Sequence, residues 1–123
     1  MGIFSWPLRI ADMDDQRTAD VEATVGTGAF YTQLPTSLLR ELGVEPLFKR
    51  RLQLADGRLI DADIGDARAT IDGESVTTLV VFGEDGSRPL LGAYTLEGLA
   101  LTVDPIAERL VPRELTLYAR CAA

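Results

Sequence analysis

The residues best placed to do chemistry are few, and they cluster in Val25-Gly26-Thr27-Gly28-Ala29. A hydroxyl between two glycines in a tight turn is a hydrogen-bond donor and acceptor, and on its own such a threonine usually bonds its local turn. Acid–base chemistry would have to come from carboxylates. The chain has no histidine, which removes Ser-His-Asp and Cys-His catalysis, imidazole proton transfer and histidine-ligated zinc. Its single cysteine, Cys121, can form neither an internal disulfide nor a thiolate cluster, so the expectation is a reducing, cytoplasmic location with no metal and no cofactor.

The elements that would position these residues read mainly as β. Val21, Ala23 and Val25 alternate with Glu22 and Thr24, the period of a half-buried strand. Leu8 and Ile10 begin a similar pattern, so residues 7–12 and 18–25 are predicted to pair antiparallel across Asp12-Met13-Asp14-Asp15. Phe30 to Leu34 is a short extended piece after the glycine turn. Pro35 suits a first helical position, Leu38, Leu39 and Leu42 follow at helical spacing, and Gly43 is a stop, which predicts a helix over 35–42.

Beyond the helix, Leu52 and Leu54 face Leu59 and Ile60 across Asp56-Gly57, a dipeptide that readily takes the positive φ of a hairpin turn. Asp72-Gly73 and Asp85-Gly86 repeat the signal. Leu59 to Ile71 reads as one long strand kinked or bulged at Gly65, and the β-branched run Val76 to Phe82 as a central strand. Tyr94 to Leu99 is predicted as one or two helical turns. Leu101-Thr102-Val103 returns to strand, Arg109-Leu110-Val111 pairs back across Asp104-Pro105, and Glu114 to Tyr118 is a last strand or a tail. Many short strands at close intervals predict a barrel-like, mainly β fold with two small helices.

Composition sets the bounds. With 123 residues, 46% of them hydrophobic and 25% charged, one domain is expected, a core over 6–112 with 113–123 as a C-terminal strand or tail. A net charge of −7 argues against a nucleic-acid surface and serves mainly to keep the surface solvated, although it would favour basic segments. No secretion signal is legible at the N-terminus, and no run approaches the roughly 18 apolar residues of a membrane span.

In order and spacing these pieces resemble the retropepsin-like aspartic proteases in their compact, single-lobed bacterial form. That family's active-site element is an apolar strand running into Asp-Thr/Ser-Gly-Ala, and Val21 to Ala29 matches it except that Gly26 stands where the aspartate would be. Leu34-Pro35-Thr36-Ser37-Leu38-Leu39 resembles the strand-to-helix step of the bacterial members, and Leu54-Ala55-Asp56-Gly57-Arg58 their flap hairpin. Pro89-Leu90-Leu91-Gly92-Ala93 resembles the apolar pair plus glycine before the C-terminal helix. The similarity spans about residues 7–112. It implies a closed β barrel, a homodimer, and a peptide or protein segment bound in the inter-subunit cleft. Gly26, Thr27, Gly28 and Ala29 would stand at the catalytic positions, with Ala55, Asp56, Gly57, Arg58 and Leu91 against substrate and Thr27 bonding across the dimer axis.

The missing carboxylate alters what that implies. The family's chemistry uses two carboxylates that share a proton and hold the attacking water, one from each subunit. Gly26 removes both at once. Glu22 is about 13 Å away along the strand at about 3.3 Å per residue, Asp20 is farther, and Asp56 sits at the flap tip in solvent. No backbone need for glycine is evident, because an aspartate fits this turn in the family. The leading expectation is a peptide-binding pseudoprotease. The alternatives are an active aspartic endopeptidase of which this chain is an inactivated variant, and a β-rich interaction or assembly module with no cleft ligand.

Overall fold

The computed structural model describes residues 3–117, and Cys121 and the end of the proposed tail lie outside them. In chain order the elements are β1 (Phe4–Ala11), β2 (Thr18–Val25), β3 (Thr32–Pro35), α1 (Thr36–Glu41), β4 (Pro46–Gln53), β5 (Leu59–Ile71), β6 (Glu74–Gly83), α2 (Ala93–Gly98), β7 (Leu101–Asp104) and β8 (Arg109–Pro112). The fold is mainly β with two short helices, as the alternation predicted.

β1 and β2 pair antiparallel from Phe4↔Val25 to Ala11↔Thr18. Asp12 builds their turn, its Oδ1 accepting the N–H of Gln16 at 2.7 Å and of Arg17 at 3.0 Å. Ala23 and Val25 point into the core while Glu22 is exposed, so the period-2 pattern reported the buried face correctly.

The main sheet runs β2-β1-β5-β6-β3, with β4 paired to β5 off this path. β5 and β6 form an antiparallel hairpin across Asp72-Gly73, and β3 joins β6 in parallel. The two ends of the path, β2 and β3, meet through Leu90, which bridges Thr24 in parallel and Gln33 antiparallel. The path therefore returns to its start through isolated bridges at one residue, not through a continuous ladder. Leu8, Ile10, Val25, Leu34, Leu39 and Val80 fill the enclosed core, and a smaller cluster of Ala62, Ile64 and Val81 lies under β4, against Phe48, Leu52 and Tyr31.

Several boundaries differ from the sequence reading. Pro35 is not the first helical residue but the last of β3, extended at φ −57° and ψ 139°. Its register opposite Gly83 and the bond from Thr36 Oγ1 to the Gly83 carbonyl (2.7 Å) hold it in the sheet, so the helix starts at Thr36. β4 begins at Pro46, well before Leu52, because this edge strand is exposed along most of its length and shows no alternation to read. The irregularity expected at Gly65 falls on the opposing strand, between Pro46 and Phe48. Gly65 permits it, since a Cβ there would lie 2.7 Å from the Glu45 carbonyl oxygen.

Asp85-Gly86 turns the chain without joining adjacent strands, and Asp85 Oδ1 instead accepts the Ser37 N–H at the start of α1 (2.8 Å). After β8, residues 113–117 form no strand. No helix among the described residues is long and apolar enough to cross a membrane.

Candidate functional site

β2 delivers the chain from the buried Val25 into an exposed loop at residues 26–28, and β3 takes it back into the core at the buried Thr32. Gly26 has φ +88° and Gly28 φ +84°, a region that side-chain-bearing residues rarely adopt. The expectation that no backbone need explains glycine at position 26 is thereby corrected: the loop's conformation suits glycine at both places. Between them the Thr27 Oγ1 accepts the Ala29 N–H at 3.2 Å, the local turn bond its residue type suggested.

The loop is clamped from behind by the start of α2. Ala93 N–H donates to the Ala29 carbonyl (3.0 Å) and Tyr94 N–H to the Phe30 carbonyl (2.8 Å). The segment before α2 threads between β2 and β3: Thr24 N–H donates to Pro89 O, Leu91 N–H to Thr24 O, and Gln33 and Leu90 exchange both backbone bonds at 2.9 Å.

Beneath this the Gly92 N–H donates to Thr32 Oγ1 (3.1 Å), which lies 2.6 Å from Thr95 Oγ1, itself 2.8 Å from Thr78 Oγ1. Thr78 Oγ1 donates to the Leu79 carbonyl (3.5 Å), which leaves it to accept from Thr95, and Thr95 to accept from Thr32. This chain of buried hydroxyls ties α2 to β3 and β6 without an unsatisfied atom.

In front of the loop lies a cavity of about 730 Å³, walled on one side by Thr27, Gly28, Ala29 and Phe30 and on the other by the β4–β5 hairpin. Of the residues singled out in the sequence, Thr27, Gly28, Ala29, Ala55 and Gly57 line it. Gly26 adjoins the wall without lining it. Leu91 does not reach it either: the side chain is 3% exposed and belongs to the core, and its neighbour Leu90 lines the cavity instead. In an extended segment successive side chains point to opposite faces, so a one-residue shift exchanges core for cavity.

Asp56 and Arg58 also stand outside the lining and engage each other at the hairpin tip. Asp56 Oδ1 accepts the Arg58 N–H at 3.0 Å and Oδ2 the guanidinium Nε at 2.8 Å, and these bonds, the backbone one foremost, hold the carboxyl below its usual range.

The sequence reading missed Phe30, Tyr31, Gln33, Gln53 and Ile60, all of which line the cavity. Phe30 and Tyr31 directly follow the glycine loop, and with Tyr94 they form a triangle of ring contacts at 4.9, 5.9 and 5.8 Å between centroids. Two consecutive aromatics, Phe30 and Tyr31, directly after the glycine turn were the available signal in the sequence.

The cavity's electrostatics are plain. Among the described residues no Asp, Glu, Lys or Arg lines it. The carboxylates considered as substitutes are engaged or elsewhere: Asp20 pairs with Arg9 at 2.8 Å, whose hydrogen bond holds the Asp20 carboxyl low, and Glu22 is exposed on β2 opposite Pro7. No group of three or more metal-ligating side chains occurs among the described residues.

This architecture has a counterpart among solved structures. The chain superposes on the solution structure of the simian foamy virus (mac) protease with a TM-score of 0.51 and 18% identity, covering 76% of this chain and 93% of that one. The fold is retropepsin-like. No protein-family model matches the sequence, and neither does any curated protein. The loop contributes the Thr27 hydroxyl beside the cavity, and the described lining includes Tyr31 but no Asp, Glu, Lys or Arg.

Proposed function

We propose that this protein binds an extended peptide or protein segment, without hydrolysing it, in a cleft shared by two copies of the chain. One observation supports the reading: a cavity lies between the glycine loop and the β4–β5 hairpin, and its described lining holds no carboxylate. Hydrolysis in this fold requires two acidic groups sharing a proton around a water. Each such group contributes about 10²–10⁴-fold, and Gly26 supplies neither. Binding needs less, because an extended segment can add its main-chain hydrogen bonds to an exposed edge without any ionisable group.

The pairing of two copies is supported by the apolar groups left in solvent around the cavity mouth, Phe30, Ile60 and Tyr94. In a two-fold arrangement each hairpin would act as a flap over the shared cleft, and the loops would meet at the axis.

A peptide-library screen run in parallel on this protein and on Gly26→Asp at mildly acidic pH tests the reading, with light scattering at micromolar concentration for the dimer. Retained peptides without cleavage by the unmodified protein are the expected result. Cleavage by the unmodified protein that a transition-state mimic blocks would overturn inactivity, and a one-chain mass at every concentration would remove the shared cleft.

A further inference from the structure

We infer that two free sheet edges of this chain are complementary, so that β4 of one copy adds antiparallel to β2 of a second copy, head to tail. This rests on the sheet edges and not on the cleft. β2 ends the main sheet, and β4 pairs with β5 alone. In an antiparallel edge strand every second residue turns its N–H and C=O outward, unpaired.

The bonds flanking each strand fix which residues these are. Asp12 N–H donates to Arg17 O, which makes Ile10↔Ala19, Leu8↔Val21 and Trp6↔Ala23 the hydrogen-bonded pairs of the β1–β2 ladder. The backbone groups of Thr18, Asp20, Glu22 and Thr24 therefore face away from β1. Thr24 agrees, since it bonds Pro89 and Leu91 on that side. Thr18, Asp20 and Glu22 are exposed and make no such bond among the described residues.

In the β4–β5 hairpin the Leu54 N–H donates to Arg58 O, so Leu52↔Ile60 and Arg50↔Ala62 are bonded pairs. Lys49, Arg51 and Gln53, all exposed, then turn their backbone groups outward.

One register brings the two sets together: Glu22 opposite Lys49, Asp20 opposite Arg51 and Thr18 opposite Gln53. Each opposing pair exchanges both backbone bonds. On the exposed face the charges alternate in sign across the joined strands as Arg9, Asp20, Arg51 and Asp61, which extends the Arg9–Asp20 (2.8 Å) and Arg51–Asp61 (3.5 Å) pairs within one copy. Glu22, opposite Pro7 and without an ion pair among the described residues, gains Lys49 beside Asp63. On the inner face the half-buried Ala19 meets the half-buried Leu52. Like edges repel, because β4 on β4 sets cations opposite cations and β2 on β2 sets carboxylates opposite carboxylates. The favoured contact joins different surfaces, the kind that builds rings or open chains of copies.

Sedimentation velocity on the full chain tests this at roughly 0.05 M and about 0.5 M NaCl, which bracket the ionic strength where the Debye length is about 10 Å. Mass should rise with concentration at low salt, with association about tenfold stronger than at high salt, the size of two exposed ion pairs. Lys49→Glu with Arg51→Glu, and Asp20→Lys with Glu22→Lys, each leave both edges with one sign and should lose this association. An equimolar mixture of the two double variants restores opposite edges and should regain it. Circular dichroism confirms that each variant is folded.

Amide exchange in the unmodified protein decides independently of the variants: the N–H groups of Asp20, Glu22, Lys49 and Arg51 should slow as the protein is concentrated at low salt. Unchanged rates there overturn the inference, as does association that either folded double variant retains or that their mixture fails to regain. A mass fixed at two chains in every arm overturns it and leaves the cleft dimer standing. A mass fixed at one chain removes both.

Discussion

Gly92 lies so close to the backbone of Tyr31 that a Cβ on it would sit 2.3 Å from the Tyr31 carbonyl carbon and 2.5 Å from the Phe30 oxygen. The contact presses the start of α2 onto the loop that walls the cavity, and backbone on one side leaves nothing flexible to yield.

Gly92→Ala is therefore expected to destabilise the fold by about 3 kcal/mol, the upper range for an overpacked site, as read by urea unfolding. Gly28→Ala meets no atom within 4 Å but must hold φ +84°, so its cost is about 1 kcal/mol from backbone strain. A reversed order of the two would contradict the close approach.

Thr95 is the middle of the buried hydroxyl chain, and Thr95→Val removes the hydroxyl partner of Thr32 and of Thr78 at once, leaving Thr32 the Gly92 N–H and Thr78 the long bond to the Leu79 carbonyl. A loss of about 1–3 kcal/mol is expected, larger than for Thr78→Val at the end of the chain. Equal losses in the two variants would show that the hydroxyls do not act in series.

Acid should weaken the fold through three exposed carboxyls whose values lie below the ordinary range: Asp20 held by Arg9, Asp56 by Arg58, and Asp85 by the Ser37 backbone N–H. A lowered value means stability present above the unfolded carboxyl's pKa of about 3.9 and lost as pH falls through the folded one. Arg9 and Lys49, both raised, contribute up to strongly alkaline pH and lose that contribution only as pH rises through their folded values. Melting temperature should be flat near neutrality and fall below about pH 4. Asp85→Asn should flatten part of that acid limb.

Gly26→Asp should show trace peptide cleavage at mildly acidic pH where the unmodified protein shows none. The substitution forces a side-chain-bearing residue to φ +88°, at a cost of about 1–2 kcal/mol in a calorimetric or urea measurement. Silence in a variant confirmed as folded and dimeric would mean that the cavity has diverged beyond the missing carboxylate, and would favour a pure interaction module.

The sequence by itself determined the β class, the antiparallel start, the long strand from Leu59 to Ile71, and the lack of histidine chemistry or an aspartate at position 26. These are legible because alternation along one strand reports which face is buried, and composition reports which side chains exist at all. Only the tertiary structure decided that Pro35 stays extended opposite Gly83, that Pro46 to Arg51 is a strand at the sheet edge, and that Leu90 rather than Leu91 faces the cavity. It also brought Phe30, Gln33 and Gln53 to one space and set Gly26 at positive φ. Each of those depends on partners distant in the chain, where a shift of one residue in register turns a side chain from the core to the cleft, and no local pattern records that choice.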